Sequence, residues 1–201
     1  SVLDLSGSTL CVQPGSAAES AVSDFFKSRQ MKYQLVVSER WADLVKSYDT
    51  GGCKLLTGDV AQLAHERSRL SRPSDHVLLS EVVSIEPVGP LVRDDDASWL
   101  RIARWTLAAL IEAEELNITA ASAQRASDAA TPDVRRFLGV DQNPAAGLGL
   151  AQDWAQKVIQ SVGNYGELFE RNIGLRSQLR LERGLNALWD KGGLMYAPPF
   201  R

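Results

Sequence analysis

Two cysteines and two histidines are all the thiol and imidazole that the 201 residues hold, and neither Cys11 nor Cys53 stands at a metal-ligand spacing from His65 or His76. No metal site and no cofactor is expected. Excess positive charge is lacking too, since 22 Lys and Arg face 25 Asp and Glu, for a formal charge of -3 and a pI near 5.5. Binding along a phosphate backbone needs a basic face, so nucleic acid is not an expected partner. Long apolar runs are missing as well. Residues 105–111 stop between Arg104 and Glu112, far short of the roughly 20 residues that cross a bilayer, and membrane insertion is not expected. The chain opens on Ser1 with no initiator Met and no signal peptide, as a processed or shortened product would. Against these absences stand 44% hydrophobic and 23% charged residues, enough to bury a core in one or two domains.

The stretch Cys11-Val-Gln-Pro-Gly-Ser-Ala-Ala-Glu19 organises the first half. A short β-favouring run ends at Pro14-Gly15 and passes directly into a helical pattern near Ala17. The first turn of such a helix has N–H groups without intrahelical partners, and its dipole points positive charge into the loop, which suits an anion. Gly15 allows close backbone approach and Ser16 adds a hydroxyl. The plainer alternative is local: Ser16 and Glu19 stand at capping-box spacing and satisfy each other's backbone donors.

Strand and helix then alternate. Strands are expected at 9–13, 32–37, 53–56 and 76–79, with helices over 17–28, from about residue 39 to Gly51-Gly52, and from Asp59 onward. That pattern specifies a parallel sheet with helices on both faces, whose ligands sit at the carboxyl ends of the strands near a topological switch point. The turns at Gly15-Ser16 and Thr57-Gly58-Asp59 fall at that edge, so an anion seat and a carboxylate face one crevice. A free amino acid carries the complementary pair of charges. Asp59 as a simple helix N-cap is the alternative. Cys11 and Cys53 both fall in these strands, compatible either with buried thiols or with a bond between neighbouring strands.

Residues 82–93 carry Pro87 and Pro90 and read as a connector with extended segments. From residue 97 the character is helical, with helices expected at 97–116, 119–128, 132–138, 148–161, 163–172 and 180–190. Trp99, Trp105, Trp154 and Trp189 fall on periodic faces and are expected in cores. With a single short β segment at 89–93, this half has too few strands to cover its helices and reads as part of a domain.

The succession CVQPGSAAE, GGCKLLTGD, SDHVLLSEVVSIEPVGPLVRDDDASW, RWTLAALIEAEELNIT, VRRFLGV, VGNYGELFERNIG and LERGLNALWDKGGLMYAPPFR resembles the periplasmic solute-binding proteins of general L-amino-acid ABC transporters along nearly the whole chain. The resemblance implies an α/β, type II periplasmic-binding-protein fold of two lobes with parallel-rich sheets flanked by helices. On it, residues 1–85 are the inserted lobe 2, residues 86–89, with Glu86 and Pro87, are a hinge crossing, and 90–201 are the C-terminal part of an incomplete lobe 1. It implies that the first third of the mature protein is absent, and with it an arginine for the ligand carboxylate and a stacking aromatic. The residues of the site that remain are Gln13, Gly15, Ser16 and Ala17 on the carboxylate and side-chain side, and Gly58 and Asp59 toward the ammonium. The resemblance further implies a Cys11–Cys53 disulfide, a periplasmic location, an L-amino acid as ligand and a membrane permease as partner, with no bond made or broken.

Two departures from the family pattern stand out. The usual Gly-Thr-Thr-Thr-Glu turn is Gly15-Ser16-Ala17-Ala18-Glu19 here, which removes a hydroxyl at Ala17, and Lys54 replaces a common acid after the second cysteine. One lost hydrogen bond to a charged group costs about 1.5–3 kcal/mol. The other functional readings are a dehydratase-like enzyme on the same scaffold, for which Asp59 is the one acid or base in reach, and an amino-acid sensor domain.

Overall fold

The computed structural model describes residues 2–125, 131–141 and 146–200. The chain folds as two compact units, Ser1–Val88 and Gly89–Arg201.

The first unit is built on β1 (Ser8–Val12), α1 (Ala17–Ser28), β2 (Tyr33–Val37), α2 (Trp41–Asp49), β3 (Leu55–Leu56) and α3 (Val60–Arg67). The three strands are parallel in the order β2-β1-β3. β1 pairs Ser8 with Tyr33 through Val12 with Val37 on one side, and Leu10 and Cys11 with Leu55 and Leu56 on the other. Because successive strand residues face opposite ways, Leu10 packs on Val22 and Phe26 of α1, while Cys11 packs on Leu44 of α2 and on Cys53. The two helices therefore cover opposite faces. The chain leaves β1 toward β2, then crosses β1 to reach β3, and the reversal of direction lies between the carboxyl ends of β1 and β3.

Cys11 and Cys53 are joined by a disulfide with Cα atoms 5.8 Å apart. Cys53 itself precedes β3, which is shorter than its sequence pattern, and Lys54 continues the pairing by donating its N–H to the Thr9 carbonyl at 3.0 Å. Residues 76–79, expected as a strand, have no ladder partner, and Val77 is 74% exposed. Their β-favouring composition does not bring them to the outer edge of β2 or of β3.

The second unit contains α4 (Ala97–Glu115), α5 (Pro132–Phe137), α6 (Trp154–Val162) and α7 (Tyr165–Asn172). Its core sets Ala108, Ala109 and Ala113 of α4 against Phe137, Trp154, Ala155, Ile159 and Phe200. Phe200 meets Trp105 and Phe137 edge-on at 5.1 and 5.4 Å. α7 opens with a capping box between Asn164 and Glu167, and the buried Asn164 amide also donates to the Ile118 carbonyl at 2.9 Å.

Several sequence expectations fail in this unit for local reasons. Residues 120–125 form turns, with Thr119 and Ser122 exchanging hydroxyl and N–H bonds that compete with a helix; residues 126–128 of that expected helix lie outside the described residues. Residues 180–190 hold only two 3-10 turns, at Gly184–Asn186 and Trp189–Lys191, with Arg180 and Gly184 in the left-handed region that ends a right-handed helix. Gly149 does the same ahead of α6, and residues 89–93 are not a strand. Trp154 is in the core and Trp105 packs against it, but Trp99 and Trp189 are 52% and 64% exposed.

Candidate ligand-binding site

At the switch point, the loop after β1 is held by its own side chains. Ser16 is the N-cap of α1: its Oγ accepts from the Glu19 N–H at 3.1 Å and donates to the Gln13 carbonyl at 2.7 Å. The Glu19 carboxylate reaches back to the N–H of Gly15 at 2.6 Å, one residue earlier than in a standard capping box. Gly15 sits at φ +71, a conformation that favours glycine. Gln13 is fixed by its Nε2, which donates to the Glu39 carbonyl at 2.9 Å. The local reading of this loop therefore holds for the Ser16 cap on the Glu19 N–H, whereas the reciprocal bond goes to Gly15 instead of Ser16. What it leaves over are the N–H groups of Ala17 and Ala18, the first two of α1, which have no acceptor among the described residues.

The loop after β3 starts from Thr57, whose N–H donates to the Cys11 carbonyl at 3.3 Å and so ties it to β1. Asp59 follows as the N-cap of α3. Its Oδ1 accepts from the N–H groups of Ala61 and Gln62 at 2.8 and 3.2 Å. Its Oδ2 accepts no hydrogen bond among the described residues, and the side chain is exposed. The cap is thus real and uses one oxygen of two. A fixed carboxylate oxygen and two unoccupied backbone donors sit on loops that leave adjacent, paired strands.

Other hollows in the first unit are less suitable. One beside Tyr48, Leu56, Leu63 and His76 measures about 50 Å³, against roughly 300 Å³ or more for a site that encloses a small molecule. Tyr48 there donates to or accepts from His76 Nδ1 at 2.8 Å, and burial raises its phenol pKa. A wider depression of about 470 Å³, by Gly7, Met31 and Lys32, lies at the amino-terminal edge of the sheet. Among the described residues no group of three or more His, Cys, Asp or Glu is placed to hold a metal, and no helix is long and apolar enough to cross a membrane.

The fold is that of the periplasmic binding proteins. A solved ABC-transporter periplasmic binding protein from Brucella ovis, with glutathione bound, superposes with a TM-score of 0.90 at 45% identity, covering 100% of this chain and 63% of its own. No protein-family model matches the chain. The sequence is 47% identical over 203 residues to the general L-amino acid-binding periplasmic protein AapJ of Rhizobium johnstonii. It is 43% identical over 202 residues to the glutamate/glutamine/aspartate/asparagine-binding protein BztA of Rhodobacter capsulatus. All of this chain aligns in both cases, with 60% of each relative. Along its full length the chain is thus homologous to the periplasmic binding proteins of amino-acid ABC transporters, and it spans about three fifths of the length of those relatives.

Proposed function

We propose that the crevice between the loops after β1 and β3 binds the head group of an α-amino acid. In this reading the N–H groups at Ala17 and Ala18, with Gln13, Gly15 and Ser16 shaping the loop, take the carboxylate side. Gly58 and Asp59 take the ammonium. The observation that carries it is the half-used carboxylate of Asp59, with Oδ1 spent on the α3 cap and Oδ2 unbonded, on a loop that leaves the strand paired with the one leading into the open first turn of α1. Its electrostatics match a zwitterion, since the helix end favours an anion and the carboxylate a cation.

The protein then serves as the extracytoplasmic binding component of an ABC transporter, delivering its ligand to a membrane permease. The buried disulfide supports an oxidising compartment such as the periplasm. Residues 1–85 are assigned to one lobe, 86–89 to a crossing at Glu86 and Pro87, and 90–201 to the other lobe. The dehydratase-like alternative has only Asp59 as its acid or base, and one oxygen of that carboxylate is spent on the α3 cap. As to ligand, glutathione in the Brucella ovis protein and free amino acids in the named relatives share one chemical feature. The γ-glutamyl end of glutathione carries the same α-ammonium and α-carboxylate as a free amino acid, so one head-group site serves both.

Calorimetric titration of the gene's full-length product with the twenty L-amino acids and glutathione tests this. Micromolar or tighter binding of at least one ligand, lost in a folded Asp59→Ala protein, is the expected result. Retained affinity in that variant refutes the site, and no binding at all refutes the function.

A further inference from the structure

Gly58 is a glycine because of space and not because of backbone conformation: it does not lie in the left-handed region, and a Cβ there would stand 2.9 Å from Cη2 and 3.4 Å from Cζ3 of the Trp41 indole. The outer ring of Trp41 fills the volume that a side chain at position 58 would take. Trp41, the first residue of α2, packs against the Cys11, Leu44 and Cys53 cluster. Its Nε1 donates to Oε1 of Glu66, in the last turn of α3, at 3.0 Å. One indole therefore touches the turn that enters α3 and hydrogen-bonds the far end of the same helix.

Asp59 is the N-cap of α3, and the direction of its unbonded Oδ2 follows the seat of that helix, because Oδ1 is fixed to the N–H groups of Ala61 and Gln62. We propose that Trp41 is a positioning residue for the Asp59 carboxylate, matched in shape to Gly58 and pinned by Glu66, and that it forms the wall of the crevice beside the ligand. This rests on the reading of the Gly58–Asp59 turn as the ammonium side of the site. Periodicity in the sequence marks Trp41 only as a core residue of α2, and nothing there couples it to Gly58.

The test uses the gene's full-length product, with L-glutamate and glutathione as probes in calorimetry and thermal unfolding alongside. Gly58→Ala overpacks against the indole and is expected to weaken binding about tenfold. Trp41→Phe removes the outer ring and with it the Nε1 bond to Glu66, so the Trp41→Phe/Gly58→Ala double variant is expected to recover part of the thermal midpoint lost in Gly58→Ala while still binding more weakly than wild type. Glu66→Gln keeps the acceptor and is expected to bind as wild type, whereas Glu66→Leu weakens binding. The emission of Trp41, taken as wild type minus Trp41→Phe, is expected to shift when ligand is added, which a purely packing role does not produce. Wild-type affinity in folded Gly58→Ala, or in folded Glu66→Leu, overturns the positioning role alone. Wild-type protein that binds neither probe overturns the functional reading and the positioning role with it. In that case a midpoint lost in Gly58→Ala and regained in the double variant still separates the matched packing from the failed function.

Discussion

Arg183 grips Glu114 with two parallel hydrogen bonds, Nη1 to Oε1 and Nη2 to Oε2, each 3.0 Å, across 69 residues of sequence. The pair leaves only 19% and 12% of the two side chains exposed. The guanidinium also lies over the rings of Tyr165 and Phe169 and donates to the Asn186 carbonyl. It ties α4, α7 and the irregular C-terminal segment to one another. Arg183→Met leaves the Glu114 carboxylate without its partner, and a loss of about 2–4 kcal/mol is expected after allowing for partial exposure. Thermal unfolding of Arg183→Met, Glu114→Gln and the double variant checks this, the double variant losing less than the two single losses added together.

The observed cap of Asp59 and its proposed contact with the ligand can be separated by substitution. Asn retains an N-cap oxygen and removes the charge, whereas Ala removes both. Asp59→Asn is expected to hold stability within about 0.5 kcal/mol and to lose ligand affinity, while Asp59→Ala loses affinity and about 1 kcal/mol besides. Calorimetry for binding and denaturant titration for stability, on the same samples, distinguish the roles. Equal affinity in wild type and Asp59→Asn contradicts the ionic part.

Glu112 sets a pH dependence on the second unit. Burial, then the charge of Glu115, the hydrogen bond to it and the charge of Asp133 raise its carboxyl from 4.5 to about 7. Since the folded pKa lies above the unfolded one, the native state holds this proton more tightly. Its contribution is fully present below the unfolded value and declines as pH rises through about 7. Midpoints measured from about pH 5 to pH 8 are expected to fall less in Glu112→Gln than in wild type, the difference opening above the unfolded pKa.

The Cys11–Cys53 bond closes a loop of sequence separation 42, worth about 4 kcal/mol on the chain-entropy account. Cys11→Ala/Cys53→Ala is expected to lower the stability of the first unit by about that amount, leaving the clusters on its two faces to hold the sheet. Unfolding curves with and without reductant check it, and superposable curves contradict it.

How far the sequence carried depended on whether its signals were local. α1 occupies 17–28 as its spacing indicates, and Asp59 caps α3, because caps and amphipathic spacing are read within one turn of chain. Residues 76–79 and 89–93 look like strands from composition, yet a strand also needs a ladder with a neighbour, and these segments form none among the described residues. The helix expected over 180–190 is interrupted by left-handed Arg180 and Gly184, a local backbone choice that amphipathic spacing does not reveal. At the site, the turn chemistry of Gly15, Ser16 and Glu19 was legible, but the reach of Glu19 to Gly15 and the fit of Trp41 over Gly58 were not. Both depend on three-dimensional proximity that no periodicity encodes.

The bond between Cys11 and Cys53 is buried in the first unit, where the two residues are 0% and 2% exposed. A reductant in solution meets its sulfurs only when the first unit opens, so the rate of reduction under native conditions reads the opening equilibrium and not the chemistry of the thiol. The protein thus carries its own clock for local unfolding. On the proposed site, a ligand that binds only the closed unit is expected to lengthen the lifetime of the bond as its occupancy rises.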